Sequence, residues 1–152
     1  MPRSRVYLSE RRTANVGIVS QEAVKPFVYD ARVRFGDTDA SGRIFYAALF
    51  HHFDAAETEF LRSIGCRYSE FEHAGFPRVH IECDFTSALS YDDLMNIAVT
   101  VERVGRASFT LVFDVSVDGR GAARGKITIV SIDHRTHQAV PLPEKLRAAL
   151  NQ

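Results

Sequence analysis

Between residues 34 and 65, apolar side chains recur at steps of three and four. In the flanking stretches, apolar side chains alternate with polar ones. The positions that share this spacing are Phe45, Leu49, Phe50, Phe53, Ala56, Phe60, Leu61 and Ile64. Such spacing lines one face of a helix, and Gly65 is suited to end that helix. The high phenylalanine content predicts that the helix is mostly buried.

The rest of the hydrophobic pattern predicts strands and turns. Alternating segments cover residues 27–35, 79–85, 94–104, 108–117 and 122–132, and short helical pieces are expected over residues 68–74 and 141–150. Residues 118–121, with the sequence Asp-Gly-Arg-Gly, are a strong hairpin signal. One early helix followed by antiparallel hairpins is an α+β pattern, in which the apolar helix covers one face of the sheet.

A polar turn precedes the predicted helix and contains Asp37, Asp39 and Gly42. Aspartate and glycine suit tight turns. Because a helix N-terminus exposes unpaired backbone N–H groups, this turn brings carboxylates and N–H donors together. Asp39 is the first candidate catalytic residue, since a carboxylate there can act as a general base or as a nucleophile. The structural alternative is that Asp39 caps the helix.

Composition and charge narrow the function classes. The chain has 152 residues with 19 basic and 19 acidic side chains, which predicts one globular domain and argues against nucleic-acid or membrane binding. Cys66 and Cys83 lack metal-ligand spacing and predict reduced thiols in a cytoplasmic protein. Residues 1–26 are interpreted as a polar extension ahead of a single domain over residues 27–152. The alternative is an added edge strand through residues 16–19.

The stretch GDTDASGRIFY and the apolar helix after it resemble the hotdog-fold acyl-CoA thioesterases of the 4-hydroxybenzoyl-CoA thioesterase type. That family carries a pattern like F-x-D-x-D-x-x-G before its central helix, and the resemblance covers residues 29–143. It implies the hotdog fold, an antiparallel sheet wrapped around a central helix. It also implies hydrolysis of an acyl-CoA substrate to free acid and CoA by a homodimer or homotetramer, with no metal or other cofactor.

The resemblance also implies roles for individual residues. Asp39 matches the catalytic carboxylate, and the backbone N–H of Tyr46 matches the group that polarises the thioester carbonyl. Gly42 would allow close approach of the thioester, and Arg106 matches a basic residue near the CoA phosphates. Whether Asp39 is the nucleophile or the general base stays open, and Asp37 is expected to order the turn.

His51, His52, Asp54 and Glu57 give the predicted helix a polar stripe. In another hotdog thioesterase group the catalytic carboxylate lies on the central helix, so the resemblance makes Asp54 or Glu57 the fallback catalytic base or a polar group at the floor of the acyl pocket. The alternative is a solvated helix face or a subunit-interface network. A metal site would need a second cluster of ligands, which is not evident.

Two questions stay open at the level of the sequence. The match to aromatic-acyl members favours an aromatic acyl group over a short aliphatic one, although the phenylalanines of the helix could simply be core.

The alternative functions are a non-catalytic module that binds acyl-CoA or acyl-carrier-protein thioesters, a hotdog dehydratase and a purely structural dimer. The retained Asp39 argues against a mere binder, and the dehydratase motif around a histidine is not seen.

Overall fold

The structure, a computed structural model, describes residues 25–152. In chain order the elements are β1 (Phe27–Arg32), α1 (Tyr46–Ser63), β2 (Ala74–Gly75), β3 (Arg78–Phe85), β4 (Leu94–Val104), β5 (Ser108–Val117), β6 (Arg120–Val130), β7 (Ile132–Asp133) and α2 (Glu144–Leu150). The main sheet has five antiparallel strands in the order β1-β4-β5-β6-β3, and β2 pairs with β7. The predictions for residues 1–24 lie outside the described residues.

The predicted strand boundaries hold for β4 and β5 and need correction elsewhere. The strand predicted over residues 27–35 ends at Arg32, because the carboxylate of Asp37 accepts the backbone N–H of Arg34 at 2.8 Å and folds the chain into a 3-10 turn. The helical piece predicted over residues 68–74 reaches only Glu70, and Ala74 joins β2 instead. The last predicted strand starts earlier, at Arg120, and α2 begins only after Pro143.

The long helix α1 lies on one face of the sheet, as its apolar spacing predicts. Its residues Leu49, Phe53 and Ala56 are fully buried. The ring of Phe53 stacks on Phe113 with 4.7 Å between centroids, and a Cβ atom at Gly125 would lie 2.3 Å from the same ring. Gly125 therefore lets α1 approach the sheet closely. The predicted hotdog arrangement of sheet and central helix is confirmed.

The outer edge of β3 has no partner strand among residues 25–152. Nearly all of its side chains are exposed, including the apolar Val79, Ile81 and Phe85. Exposed backbone groups beside apolar side chains are a surface on which another strand can pair. Neither helix of this part of the chain is long and apolar enough to cross a membrane.

Candidate active site

Residues 37–45 form a tight hairpin between β1 and α1. Thr38 and Ile44 pair across it, and the N–H of Gly42 donates to the carbonyl of Asp39 at 3.0 Å. Gly42 has φ of 74°, in the left-handed region that glycine tolerates best. The hairpin is bound to the segment before β4, since the N–H of Ile44 donates to the carbonyl of Leu89 at 2.8 Å. Main-chain hydrogen bonds therefore fix the turn that presents Asp39.

Asp37 is buried and orders this hairpin. Its Oδ2 accepts the N–H of Arg34 at 2.8 Å and lies 2.9 Å from Nε2 of His52. Burial alone would raise the pKa of Asp37, but hydrogen bonds from Arg34 and His52 outweigh that effect and lower the pKa. His52 is therefore a buried partner of Asp37 and does not belong to an exposed polar stripe.

Asp39 is exposed, and its two oxygens differ in their partners. Oδ1 accepts the hydroxyl of Ser41 at 2.6 Å and the N–H of Ser41 at 2.8 Å. These bonds, helped by the charge of Arg43, lower the pKa of Asp39, so the carboxylate is ionised at neutral pH. Oδ2 accepts no hydrogen bond from residues 25–152 and stays open to a ligand or water. The helix-capping interpretation is wrong, because Phe45 occupies the N-cap and no side chain caps α1.

Tyr46 is the first residue of α1. Within the described residues its backbone N–H donates to no backbone or side-chain acceptor, as expected for the first turn of a helix. The ring of Tyr46 is exposed and packs on Phe45 with 4.6 Å between centroids. An open N–H at a helix N-terminus can stabilise a developing oxyanion.

Glu57 is fully buried, which contradicts the solvated-face interpretation for this residue. Its Oε1 accepts the Tyr68 hydroxyl and lies 2.7 Å from Nη2 of Arg78, whereas the buried Oε2 has no partner in the described part of the chain. Burial raises the pKa of Glu57, and the charge of Arg78 opposes that shift. Asp54 is exposed and lies 3.5 Å from the same Nη2 atom. No local pattern predicts the roles of Arg78 and Tyr68, because each contacts Glu57 from a distant part of the chain.

Arg106 lies in the turn between β4 and β5, and its side chain is exposed. The Asp39 hairpin contacts the segment that leads into the start of β4, since the N–H of Tyr91 donates to the carbonyl of Gly42. Arg106 follows the other end of that strand. β4 has 11 residues, which corresponds to about 35 Å. Asp39 and Arg106 therefore lie at opposite ends of the sheet, and one protomer does not bring them together.

Other features of the described region do not form a site around Asp39. A cavity of about 700 Å³ lies between β4, α2 and the end of α1, where Phe27, Phe60 and Ile64 contribute to its wall. Asp39 and Tyr46 are not among its lining residues. Residues 25–152 contain no group of three or more His, Cys, Asp or Glu side chains placed to hold a metal ion.

Comparison with known proteins agrees with this fold. Residues 33–150 match the thioesterase-like superfamily. The 1,4-dihydroxy-2-naphthoyl-CoA hydrolase of Nostoc punctiforme is 27% identical over 123 residues, which are 79% of this chain and 83% of the hydrolase.

Two crystal structures are also similar. The BH1999 gentisyl-coenzyme A thioesterase is 32% identical with a TM-score of 0.75, over 82% of this chain and 99% of that one. A hypothetical protein of Aquifex aeolicus is 28% identical with a TM-score of 0.77, over 82% and 99% of the two chains. The fold and the match define a hotdog-fold thioester hydrolase. This chain belongs to the thioesterase-like superfamily.

Proposed function

We propose that the protein hydrolyses an acyl-CoA thioester to the free acid and CoA, with Asp39 as the catalytic carboxylate. The observation that carries this proposal is the ionised Asp39, with one open oxygen, on a hairpin that leads into the open N–H of Tyr46. Names of similar proteins include hydrolases of naphthoyl-CoA and gentisyl-CoA, which supports a CoA thioester as the substrate.

In the proposed reaction the thioester carbonyl accepts the N–H of Tyr46, which stabilises the negative charge that develops on its oxygen. As a general base, Asp39 takes a proton from water while the water oxygen attacks the carbonyl carbon. As a nucleophile, Asp39 attacks that carbon itself, and water then opens the resulting anhydride. In both routes the carbon–sulfur bond breaks, the CoA sulfur takes a proton, and one water molecule is consumed. Because Gly42 has no side chain, the space above the hairpin is free for close approach of the thioester.

For the acyl group we favour an aromatic ring that lies along α1. Ala47, Phe50, His51 and Asp54 follow one stripe of the helix at spacings of three and four. Ala47 and Phe50 are half-buried, and His51 and Asp54 are exposed. Asp54 is eight residues after Tyr46, or about 12 Å along the axis. A ring beside Phe50 would place Asp54 at the far end of the acyl pocket, which suits a short aromatic acyl group better than a long chain.

We further propose that the working enzyme is a homodimer whose sites are shared. A two-fold axis beside β3 would pair two β3 strands antiparallel, closing the open edge and covering Ile81 and Phe85. The same axis would bring the Asp39 end of one protomer to the Arg106 end of its partner. Arg106 would then supply positive charge for the CoA phosphates across the interface. Light scattering coupled to size exclusion should give a species of at least twice 17.1 kDa.

Thiol release from a panel of CoA thioesters tests the reaction. Benzoyl-CoA, 4-hydroxybenzoyl-CoA, butyryl-CoA and octanoyl-CoA would be compared with a colorimetric thiol reagent. We expect hydrolysis with the highest kcat/KM on the aromatic substrates. Hydrolysis of butyryl-CoA alone would contradict the aromatic preference. Binding of these thioesters without any thiol release would contradict the proposed hydrolysis and support a binding module.

Complementation tests whether the site is shared. Asp39→Asn and Arg106→Ala chains would be co-expressed with different tags, and the mixed dimer would be purified through both. At low acyl-CoA concentration each homodimer should be impaired, whereas the mixed dimer has one site with both native residues. We expect the mixed dimer to recover about half of the wild-type rate. Activity no higher than the mean of the two homodimers would contradict a shared site.

The role of Arg106 is tested by comparing acyl-CoA with acyl-pantetheine, which lacks the nucleotide phosphates. If Arg106→Ala raises the KM for both substrates equally, phosphate binding by Arg106 is contradicted.

A further inference from the structure

His52 is a buried histidine of α1 whose side chain contacts the hairpin that carries Asp39. Its Nε2 lies 2.9 Å from Oδ2 of Asp37, and the side chains of both residues are only 8% exposed. The same Oδ2 accepts the backbone N–H of Arg34 at 2.8 Å. The lowered pKa of Asp37 keeps its carboxylate ionised, so this group can only accept hydrogen bonds. Nε2 of His52 is therefore the protonated nitrogen and the donor.

Asp37 connects the two groups that the proposed reaction needs. Its backbone carbonyl accepts the N–H of Phe45 at 2.8 Å, and Phe45 directly precedes Tyr46 at the start of α1. Along the chain, Asp37 lies two residues before Asp39. A movement of Asp37 relative to α1 therefore changes the distance between the carboxylate of Asp39 and the N–H of Tyr46.

Two side chains of the described residues donate to the carboxylate of Asp37, those of Arg34 and His52. The side chain of Arg34 is 70% exposed, and such exposed ion pairs contribute little. Arg34 also lies only three residues before Asp37, so its contact does not join the hairpin to the helix. His52 belongs to α1, six residues after Tyr46, which is about 9 Å along the helix axis. The bond from His52 therefore attaches Asp37 to the same helix that presents the Tyr46 N–H.

We propose that His52 is a positioning residue that sets the distance and angle between the Asp39 carboxylate and the N–H of Tyr46. This inference rests on the proposed function, in which both groups act on one thioester. Main-chain hydrogen bonds fix the shape of the hairpin, and the bond from His52 fixes its orientation on the helix. Rates depend steeply on the geometry of reacting groups, and a displacement of about 1 Å can cost about a hundredfold. His52 contributes without touching the substrate, because it acts through Asp37.

The test is the kcat and KM of thiol release from 4-hydroxybenzoyl-CoA. His52→Leu removes the donor and keeps a side chain suited to burial. We expect its kcat to fall about tenfold to a hundredfold while KM stays within about threefold of wild type, because alignment matters in the transition state.

A conservative pair of variants tests the hydrogen bond itself. The amide nitrogen of glutamine matches Nε2 of histidine in reach, so His52→Gln should recover most of the kcat that His52→Leu loses. The amide nitrogen of asparagine reaches only as far as Nδ1 and stops short of Asp37. His52→Asn should therefore have a kcat as low as that of His52→Leu, and it replaces the leucine variant in the test if that variant is unfolded.

A double-mutant cycle tests whether His52 acts through Asp37. Asp37→Ala removes the acceptor, so this variant has no bond from His52 left to lose. Adding His52→Leu to Asp37→Ala should lower kcat by less than about twofold.

The matched control is Phe60→Ala. Phe60 is also a buried ring of α1, but it lies 14 residues after Tyr46 and packs on Phe27 with 5.9 Å between centroids. Its loss should destabilise the fold without reaching the hairpin, so kcat should stay within about twofold of wild type. Thermal unfolding would verify that each variant is folded at the assay temperature.

Three results would overturn the inference. The first is a folded His52→Leu variant that keeps the wild-type kcat. The second is a full, multiplicative loss of kcat when His52→Leu is added to Asp37→Ala. The third is an equal fall of kcat in Phe60→Ala, which would give His52 a structural role only. If the wild-type protein releases thiol from none of the CoA thioesters, the proposed function itself fails and takes this inference with it.

Discussion

Asp39 and Glu57 are carboxylates 18 positions apart in one stretch of the chain, and their surroundings are opposite. Asp39 lies in water on a rigid hairpin, where hydrogen bonds from Ser41 lower its pKa. Glu57 lies inside the protein, where burial raises its pKa and Arg78 compensates its charge. An ionised carboxylate with an open oxygen can react with a substrate, whereas a sealed carboxylate can only hold its neighbours in place. The difference teaches that the solvent around a carboxylate decides its role more than its position in the sequence does.

The largest effect is expected from Asp39→Asn. Loss of a general base or nucleophile should lower kcat by about a hundredfold to ten-thousandfold, while KM changes little. Steady-state kinetics with 4-hydroxybenzoyl-CoA measure this. Asp118→Asn is the matched control, because Asp118 is also an exposed turn aspartate and should keep wild-type kcat. Near-normal turnover of the Asp39 variant would move attention to Asp54, the exposed carboxylate of α1.

The second effect is on stability. Arg78→Ala leaves the buried Glu57 without its cationic partner, which should lower the free energy of unfolding by about 3 kcal/mol. Chemical denaturation measures this change. Arg124→Ala breaks an exposed ion pair and should cost less than about 1 kcal/mol. Equal losses in the two variants would contradict the contrast between buried and exposed pairs.

A smaller effect concerns the pH dependence of stability. The pKa of Glu57 is raised above 4.5 in the folded protein. The contribution of Glu57 to the free energy of unfolding is therefore full at pH values below its pKa in the unfolded chain. That contribution is lost as pH rises through its pKa in the folded protein. The stability advantage of wild type over Glu57→Gln should therefore shrink as pH rises from 4.5. Denaturation midpoints at several pH values measure it. A stability advantage of wild type over Glu57→Gln that grows with pH would contradict the upward direction of the pKa shift of Glu57.

The smallest effect is expected from Ser41→Ala. The hydroxyl of Ser41 is the main cause of the lowered pKa of Asp39, so its loss should move that pKa upward. The acid limb of the kcat profile should shift to higher pH, while the rate at neutral pH stays within about threefold of wild type. A pH–rate profile checks this result. An unchanged acid limb would mean that Asp39 does not control that limb.

The local features of the fold could be predicted from the sequence, and the features that depend on distant partners could not. The alternation of β4 and β5 and the turn that carries Asp39 are local, and their boundaries follow from neighbouring residues. The burial of Glu57 depends on Arg78, which is 21 positions away, and a helical polar stripe looks the same whether it is covered or open. The separation of Asp39 from Arg106 depends on strand order, which no local pattern encodes.

The close contact between Phe53 and Gly125 has a consequence for the order of folding. The ring of Phe53 packs against Phe113 on β5 and Gly125 on β6. This packing site therefore exists only once those two strands have paired. Their connection is short, and Asp118 and Gly119 both have positive φ, which suits the tight turn of a hairpin. Hairpins form within microseconds, whereas pairings between distant segments are slower. We therefore expect the β5–β6 hairpin to be the nucleus on which α1 docks, and β1 and β3 to join last.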